Sequence, residues 1–155
     1  MNALIRSEHI FEGRRFTTVM VHDRPAWIAR EIGTALGYAQ EGKRFASQIT
    51  GDWSEDFIDG KDYQVLTGRE LQSFNVMFSK GSEREPFRSR RGLVLMFESG
   101  LHMALLKTRK PTGTRLRRFL VEQVLPQLVR DGRYLPEREV VDGKLTEPDP
   151  RQERE

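Results

Sequence analysis

Between Lys107 and Arg118 the chain carries Lys107, Arg109, Lys110, Arg115, Arg117 and Arg118, with no acid among them. Ammonium and guanidinium groups at that density suit one chemistry above others, the neutralisation of a row of phosphates. Arg88, Arg90 and Arg91 form a second basic cluster in a polar, Gly- and Pro-containing stretch, where an arm could reach a nucleic-acid groove. A solvated helix face followed by a basic loop is the plainer account of the same residues, because clustered Lys and Arg are common on surfaces.

Other chemistries find less support. His9, His22 and His102 form no His-x-His or His-x-x-x-His pair, so no zinc site is expected. Asp23 with Glu41-Gly42-Lys43, and Asp52 with Asp59-Gly60-Lys61, loosely fit the carboxylate spacing of a metal-dependent nuclease. Both fall in expected Gly-containing loops, whereas that chemistry wants adjoining strands. No serine sits in a nucleophile-elbow context and no phosphate-binding Gly loop is present. The expectation is a non-catalytic protein with no cofactor and no metal.

The distribution of charge sharpens the basic signal. The chain has 155 residues and a net charge of +3, with 32% charged and 37% hydrophobic residues. Residues 81–135 hold 12 Lys/Arg against 5 Asp/Glu, while residues 51–80 and 136–155 are both net acidic. A concentrated basic segment in a near-neutral chain is the footprint of a polyanion partner. The absence of cysteine excludes a disulfide framework and a thiolate site. No apolar run approaches the roughly 20 residues that cross a bilayer, and Met1–Arg6 lacks the apolar core of a signal peptide. The expectation is a soluble, cytoplasmic protein without membrane contact.

The elements that must position these residues can be read from periodicity. His9 to Val21 reads as a β-hairpin turning at Glu12-Gly13, followed by a turn at residues 22–25 and a strand at 26–29. A short helix runs to Leu36, with Gly37 as its left-handed stop, and another runs over 43–49. After an acidic loop, Tyr63–Leu66 is a strand candidate, and Thr67 with Glu70 has capping-box spacing before a helix bearing Leu71, Phe74 and Phe78. Residues 79–89 read as a mobile loop. Leu93–Phe97 reads as a buried strand, and Ser99 as the N-cap of the helix that follows. The last helix spans about 112–131, with a kink at Pro126. Residues 1–136 form the expected domain, and 137–155 an acidic, disordered tail.

Strands cluster without regular βαβ alternation. The expected class is α+β: a small antiparallel or mixed sheet from an N-terminal hairpin and later strands, packed with several short helices and one longer C-terminal helix. At 100° per residue, Leu116, Leu120, Val121, Val124, Leu125 and Leu128 spread across about half of that last helix. An arc so wide needs two partners. The second is either the neighbouring helix over 99–108 or another copy of the chain, with Val121, Val124, Leu125 and Leu128 as interface candidates. Arg117 projects into this arc and needs an acid or a route to solvent.

Three blocks resemble a known family. Pro25-Ala26-Trp27-Ile28-Ala29-Arg30-Glu31-Ile32 with Gly33 to Tyr38 forms the first, and Phe97-Glu98-Ser99-Gly100-Leu101 the second. The third is the basic ending: Arg109-Lys110-Pro111, Arg117-Arg118-Phe119-Leu120, Val124-Leu125-Pro126 and Arg130 to Tyr134. Together they resemble the BRO family N-terminal (Bro-N) domain of phage antirepressor-type proteins and large DNA viruses, over about residues 9–136. His102 stands where an aromatic is usual in the family, and Leu120 where Trp is usual. The resemblance implies a DNA-associated domain of phage or prophage type.

The leading expectation joins both lines of reasoning: a DNA-binding transcriptional regulator or antirepressor on double-stranded DNA. Lys107, Arg109, Lys110, Arg115 and Arg118 would contact phosphates, Arg88, Arg90 and Arg91 would act as an arm, and the protein would be a homo-oligomer, a dimer first. The alternative is a protein-binding antirepressor that sequesters a repressor without touching DNA, using the apolar surplus of the last helix and the acidic stretch 51–62, with Asp52, Glu55, Asp56, Asp59 and Asp62 as a charge mimic.

Overall fold

A computed structural model of the chain describes residues 6–79, 87–88 and 92–130. Most of the expected 79–89 loop, Arg90, Arg91, the domain boundary at 136 and the acidic tail lie outside those residues. The chain opens with three antiparallel strands, β1 (Arg6–Phe11), β2 (Arg14–Val21) and β3 (Arg24–Ile28). The turns between them are two residues long, with positive φ at Glu12 and Gly13 and at His22 and Asp23. That left-handed pair matches the right-handed twist of flanking strands. The second turn is shorter than its sequence suggests, because Arg24 and Pro25 already belong to β3.

Helices α1 (Ala29–Leu36) and α2 (Lys43–Thr50) follow, and Gly37 ends α1 at φ 90°. Then come β4 (Tyr63–Leu66), α3 (Gly68–Ser79), β5 (Leu93–Phe97) and α4 (Glu98–Lys107). The chain continues through α5 (Pro111–Phe119), a π-turn over Leu120–Val124 and α6 (Leu125–Arg130). The five strands form one antiparallel sheet in the order β1-β2-β3-β5-β4. The class is α+β, as expected.

Side-chain alternation sorts the core into two layers. Phe11, Phe16, Trp27, Val94 and Met96 point to one face, where α1, α2, α4, α5 and α6 pack. Val19, Ala26, Ile28, Leu93, Leu95 and Phe97 point to the other, where α3 supplies Leu71, Phe74 and Phe78. Every residue of β5 is therefore buried.

The junction of β5 and α4 is fixed by Asp62. Its Oδ2 accepts the Ile58 N–H at 2.8 Å, and its Oδ1 accepts the Ser99 hydroxyl at 2.6 Å. Its carbonyl accepts the Phe97 N–H at 2.9 Å. Ser99 is thus not the N-cap that its spacing suggests: α4 starts at Glu98, and the Ser99 hydroxyl serves the neighbouring loop instead. Gly100 is dictated by the same contact, since a Cβ there would stand 1.9 Å from the Asp62 carbonyl oxygen. Arg24 adds a second tie, donating to the carbonyls of Gly60 and Lys61 at 3.0 and 2.6 Å, with its guanidinium 3.6 Å above the Phe97 ring centre.

The C-terminal helix corrects one reading. Val124 and Leu128, named as interface candidates, are each 1% exposed and belong to the core of their own domain, as do Leu116 and Leu120. Leu125 packs partly buried against that core, whereas Val121 is 50% exposed. The reason is the π-turn, in which the Leu125 N–H reaches back to the Leu120 carbonyl. A π-turn holds more residues than an α-turn, so each advances less than 100°. The step from 120 to 124 then comes close to a full circle, so residues 116, 120, 124 and 128 drift less around the helix than a uniform 100° advance would give. The wide turn comes just before Pro126, whose ring would clash with the i−4 carbonyl of a regular helix. Leu101, Ala104 and Leu105 of α4, which packs on α5, belong to the same core. The hairpin flanks the helix, with the Phe11 and Phe16 rings 5.4 and 6.1 Å from Phe119. Arg117 reaches solvent.

His9 carries a titratable group into this layer. Its ring lies 5.0 Å from that of Phe16, and its Nε2 is 2.8 Å from the Thr18 hydroxyl. Burial pushes its pKa from 6.5 down to about 4, opposed by the neighbouring Glu8 carboxylate. The unfolded chain thus takes up a proton near pH 6.5 that the folded chain refuses until about pH 4. Stability present above pH 6.5 should fall as the pH drops toward 4, by up to about 3 kcal/mol from this group. Urea unfolding at pH 7 and pH 4 should show that loss, and His9→Gln should make the decline shallower. An identical decline in the variant would mean that His9 titrates freely in the folded protein.

Leu128→Asp places a carboxylate without a partner in the core and should unfold the chain, at a cost of several kcal/mol. Val121→Asp, at an exposed position, should shift the melting temperature by only a few degrees. Circular dichroism distinguishes the two, and a folded Leu128→Asp protein would refute the phasing set by the π-turn.

Candidate nucleic-acid interface

The basic segment begins at the end of α4 and is held by hydroxyls. Thr108, 9% exposed, places its Oγ1 2.7 Å from the Tyr38 hydroxyl and accepts the Lys110 N–H at 3.4 Å. The Thr112 hydroxyl donates to the Leu36 carbonyl at 3.3 Å. These bonds clamp the 108–112 stretch to the C-terminal end of α1. Pro111 then starts α5 at its first turn, where its missing N–H costs nothing and its fixed φ suits a helix. Gly113 lets the chain pass Thr108 closely. The Lys110 ammonium lies 4.9 Å from the Tyr38 ring centre, within cation–π range.

Three of the expected phosphate contacts already hold carboxylates. Arg115 grips Glu12 of the β1–β2 turn with both Nε and Nη2, at 2.6 and 3.1 Å. The side-chain hydrogen bond from Arg115 holds the Glu12 carboxyl below its usual pKa, and the same bond raises that of Arg115. Arg118 pairs with Glu122 one turn along the helix at 3.1 Å. Lys107 turns away and pairs with Asp56. Among the described residues, Arg109 and Lys110 have no acidic partner, and Arg109 is exposed.

The fold therefore gathers part of the expected set and scatters the rest. Lys110 stands over Tyr38 just past the end of α1 and Arg115 at the hairpin tip, with Arg118 one turn farther along α5. Arg14 joins them, donating from Nη1 to the Thr34 carbonyl at 2.7 Å. Sequence reasoning did not select Arg14; the Arg14-Arg15 pair directly after the turn was the available signal. Arg88 lies elsewhere, on a cleft beside α2 that no residue of 107–118 lines. The acidic stretch also disperses. Asp62 is buried and bonded, Asp56 is paired with Lys107, and Asp52 faces the cleft.

The geometry gives the three sequence blocks a physical meaning. The first ends at Tyr38, and Tyr38 and Leu36 hold Thr108 and Thr112, which bracket the start of the third. The second is the β5–α4 junction anchored on Asp62. No protein-family model matches the chain, and no solved structure matches it. The chain is 22% identical over 110 residues to the Uncharacterized Bro-N domain-containing protein J of Lymantria dispar multicapsid nuclear polyhedrosis virus. The match covers 71% of this chain and 25% of that protein, so the chain spans about a quarter of its relative's length. Through this similarity, the chain carries a domain similar to Bro-N.

Proposed function

We propose that this chain is a non-catalytic DNA-binding regulator of phage or viral type, acting on double-stranded DNA through its phosphates. The observation that carries the reading is the placement of Arg14, Lys110 and Arg115 around the hairpin tip and the end of α1, with Arg118 one turn along α5 and Lys110 on a stretch clamped by buried Thr108. Arg109 extends the same run. Phosphate contacts made by such side chains set affinity and register and carry no base identity. The ion pairs of Arg115 and Arg118 are exposed, and exposed pairs contribute little to stability. Phosphates can therefore displace Glu12 and Glu122 at small cost. The similarity to a Bro-N domain-containing protein agrees with the phage or viral type of this reading. A repressor-binding role drawing on the acidic stretch has less support, since Asp62 and Asp56 are already engaged within the domain.

Each phosphate neutralised releases counterion, so log affinity should fall with log salt by about 0.9 per contact. Lys110→Ala, Arg115→Ala and Arg118→Ala together should flatten that slope by roughly 2–3 units on any duplex sequence while the fold persists. Fluorescence anisotropy on random-sequence duplex at several salt concentrations measures it. An unchanged slope in the folded triple variant would refute the assignment. Absence of wild-type binding at low salt would make capture of a repressor the better reading.

Glu12→Gln should tighten duplex binding several-fold at fixed salt, because Arg115 then loses its competing carboxylate. Weaker binding by this variant would mean that Glu12 is needed to hold Arg115 in place.

A further inference from the structure

A separate cleft of about 1070 Å³ opens between α2 and the β4–β5 end of the sheet. Among the described residues of its lining, Arg30, Lys43, Arg44 and Arg88 are cationic and Asp52 is acidic. Among the described residues, the carboxylates near this set are few. Lys43, Arg44 and Arg88 form no ion pair among the described residues, and Arg30 meets the Glu41 carboxylate only at 4.0 Å. Two polar atoms of the lining side chains, Arg30 Nε and Gln48 Oε1, are buried without a hydrogen-bond partner. Such atoms cost free energy unless something satisfies them. The floor is apolar, with Ala46, Val65 and Val94.

The cations are brought together by backbone contact. Gly42, at φ 79°, precedes α2, and a Cβ there would stand 1.9 Å from the Arg30 carbonyl oxygen. Only glycine lets α2 start this close to α1, and that approach sets Lys43 and Arg44 beside Arg30.

We infer that this cleft binds a nucleoside polyphosphate, with its phosphates among Arg30, Lys43, Arg44 and Arg88 and its base over Val65 and Val94 near Gln48. Its volume lies just above the usual range for small-molecule sites. A single carboxylate would leave most of the four cations unpaired, whereas a polyphosphate chain carries enough charge to neutralise them from one ligand. Guanidinium forks match phosphate oxygens in pairs. The apolar floor and the Gln48 amide suit a base better than bare phosphate.

The test uses the whole chain with mant-ATP as the probe in about 150 mM salt. Binding should saturate and yield to unlabelled ATP. Lys43→Ala with Arg44→Ala, both exposed positions, should weaken it at least ten-fold with the circular dichroism spectrum preserved. Inorganic tripolyphosphate should compete at least ten-fold less well than ATP, and a phosphodiester 12-mer should compete less well than ATP at equal nucleotide concentration. The Lys110, Arg115 and Arg118 triple alanine variant should bind mant-ATP normally, and the Lys43, Arg44 variant should keep its duplex affinity, so this site and the proposed DNA surface can fail independently. The inference is overturned if wild-type binding does not saturate, if the double variant binds as the wild type does, or if tripolyphosphate or the 12-mer competes as well as ATP.

Discussion

The burial of β5 on both faces organises the domain. Leu93-Val94-Leu95-Met96-Phe97 has no polar side, so neither face of the sheet can be left to water. Burying each such side chain is worth about 1.5–3 kcal/mol as an upper estimate. That burial requires a helix on one face, which α3 supplies with Leu71, Phe74 and Phe78, and a larger helical layer on the other. Inserted between β3 and β4, β5 also draws the N-terminal hairpin and the middle of the chain into one sheet. The Asp62 carboxylate and carbonyl then fix where β5 stops and α4 begins.

The basic segment inherits its position from that framework. The path of α4 away from β5 brings Thr108 to Tyr38, and the clamp between them starts α5 beside the hairpin. Glu12 at the hairpin tip then meets Arg115, 103 residues away in sequence. Arg115, Arg118 and Lys107 on this surface hold carboxylates, while among the described residues Lys43, Arg44 and Arg88 of the cleft beside α2 form no ion pair. Two basic regions in one small domain thus differ in electrostatic state, and that difference separates a surface suited to displaceable contacts from a concave site suited to a compact anion.

Much of the architecture was legible in the chain itself. Leu93–Phe97 is a continuous apolar run, Tyr63–Leu66 a β-prone one, and Leu71, Phe74 and Phe78 recur at helical spacing. Gly13 and Gly37 mark backbone that other residues adopt at a cost. These signals are local: side-chain period and turn chemistry act within a few residues, so sequence alone determines them. The concentration of Lys and Arg between 107 and 118 is likewise a property of composition, independent of fold.

Tertiary structure decided whatever depends on a partner distant in sequence. Val124 and Leu128 are core because the π-turn before Pro126 rephases the helix against α4, which a uniform 100° wheel does not represent. Ser99 left its capping role because Asp62, 37 residues earlier, offers its hydroxyl a charged acceptor. Arg115 and Lys107 are paired rather than bare because Glu12 and Asp56, far away in sequence, come within reach, whereas Arg118 meets Glu122 within its own helix. Arg30, Lys43, Arg44 and Arg88 converge because the backbones of α1 and α2 touch at Gly42 and the β4–β5 end of the sheet closes the other wall. The sequence by itself determined the elements and the sign of the charge. Only the fold decided which charges meet, because Coulomb and hydrogen-bond partners are chosen by distance in space and not by distance along the chain.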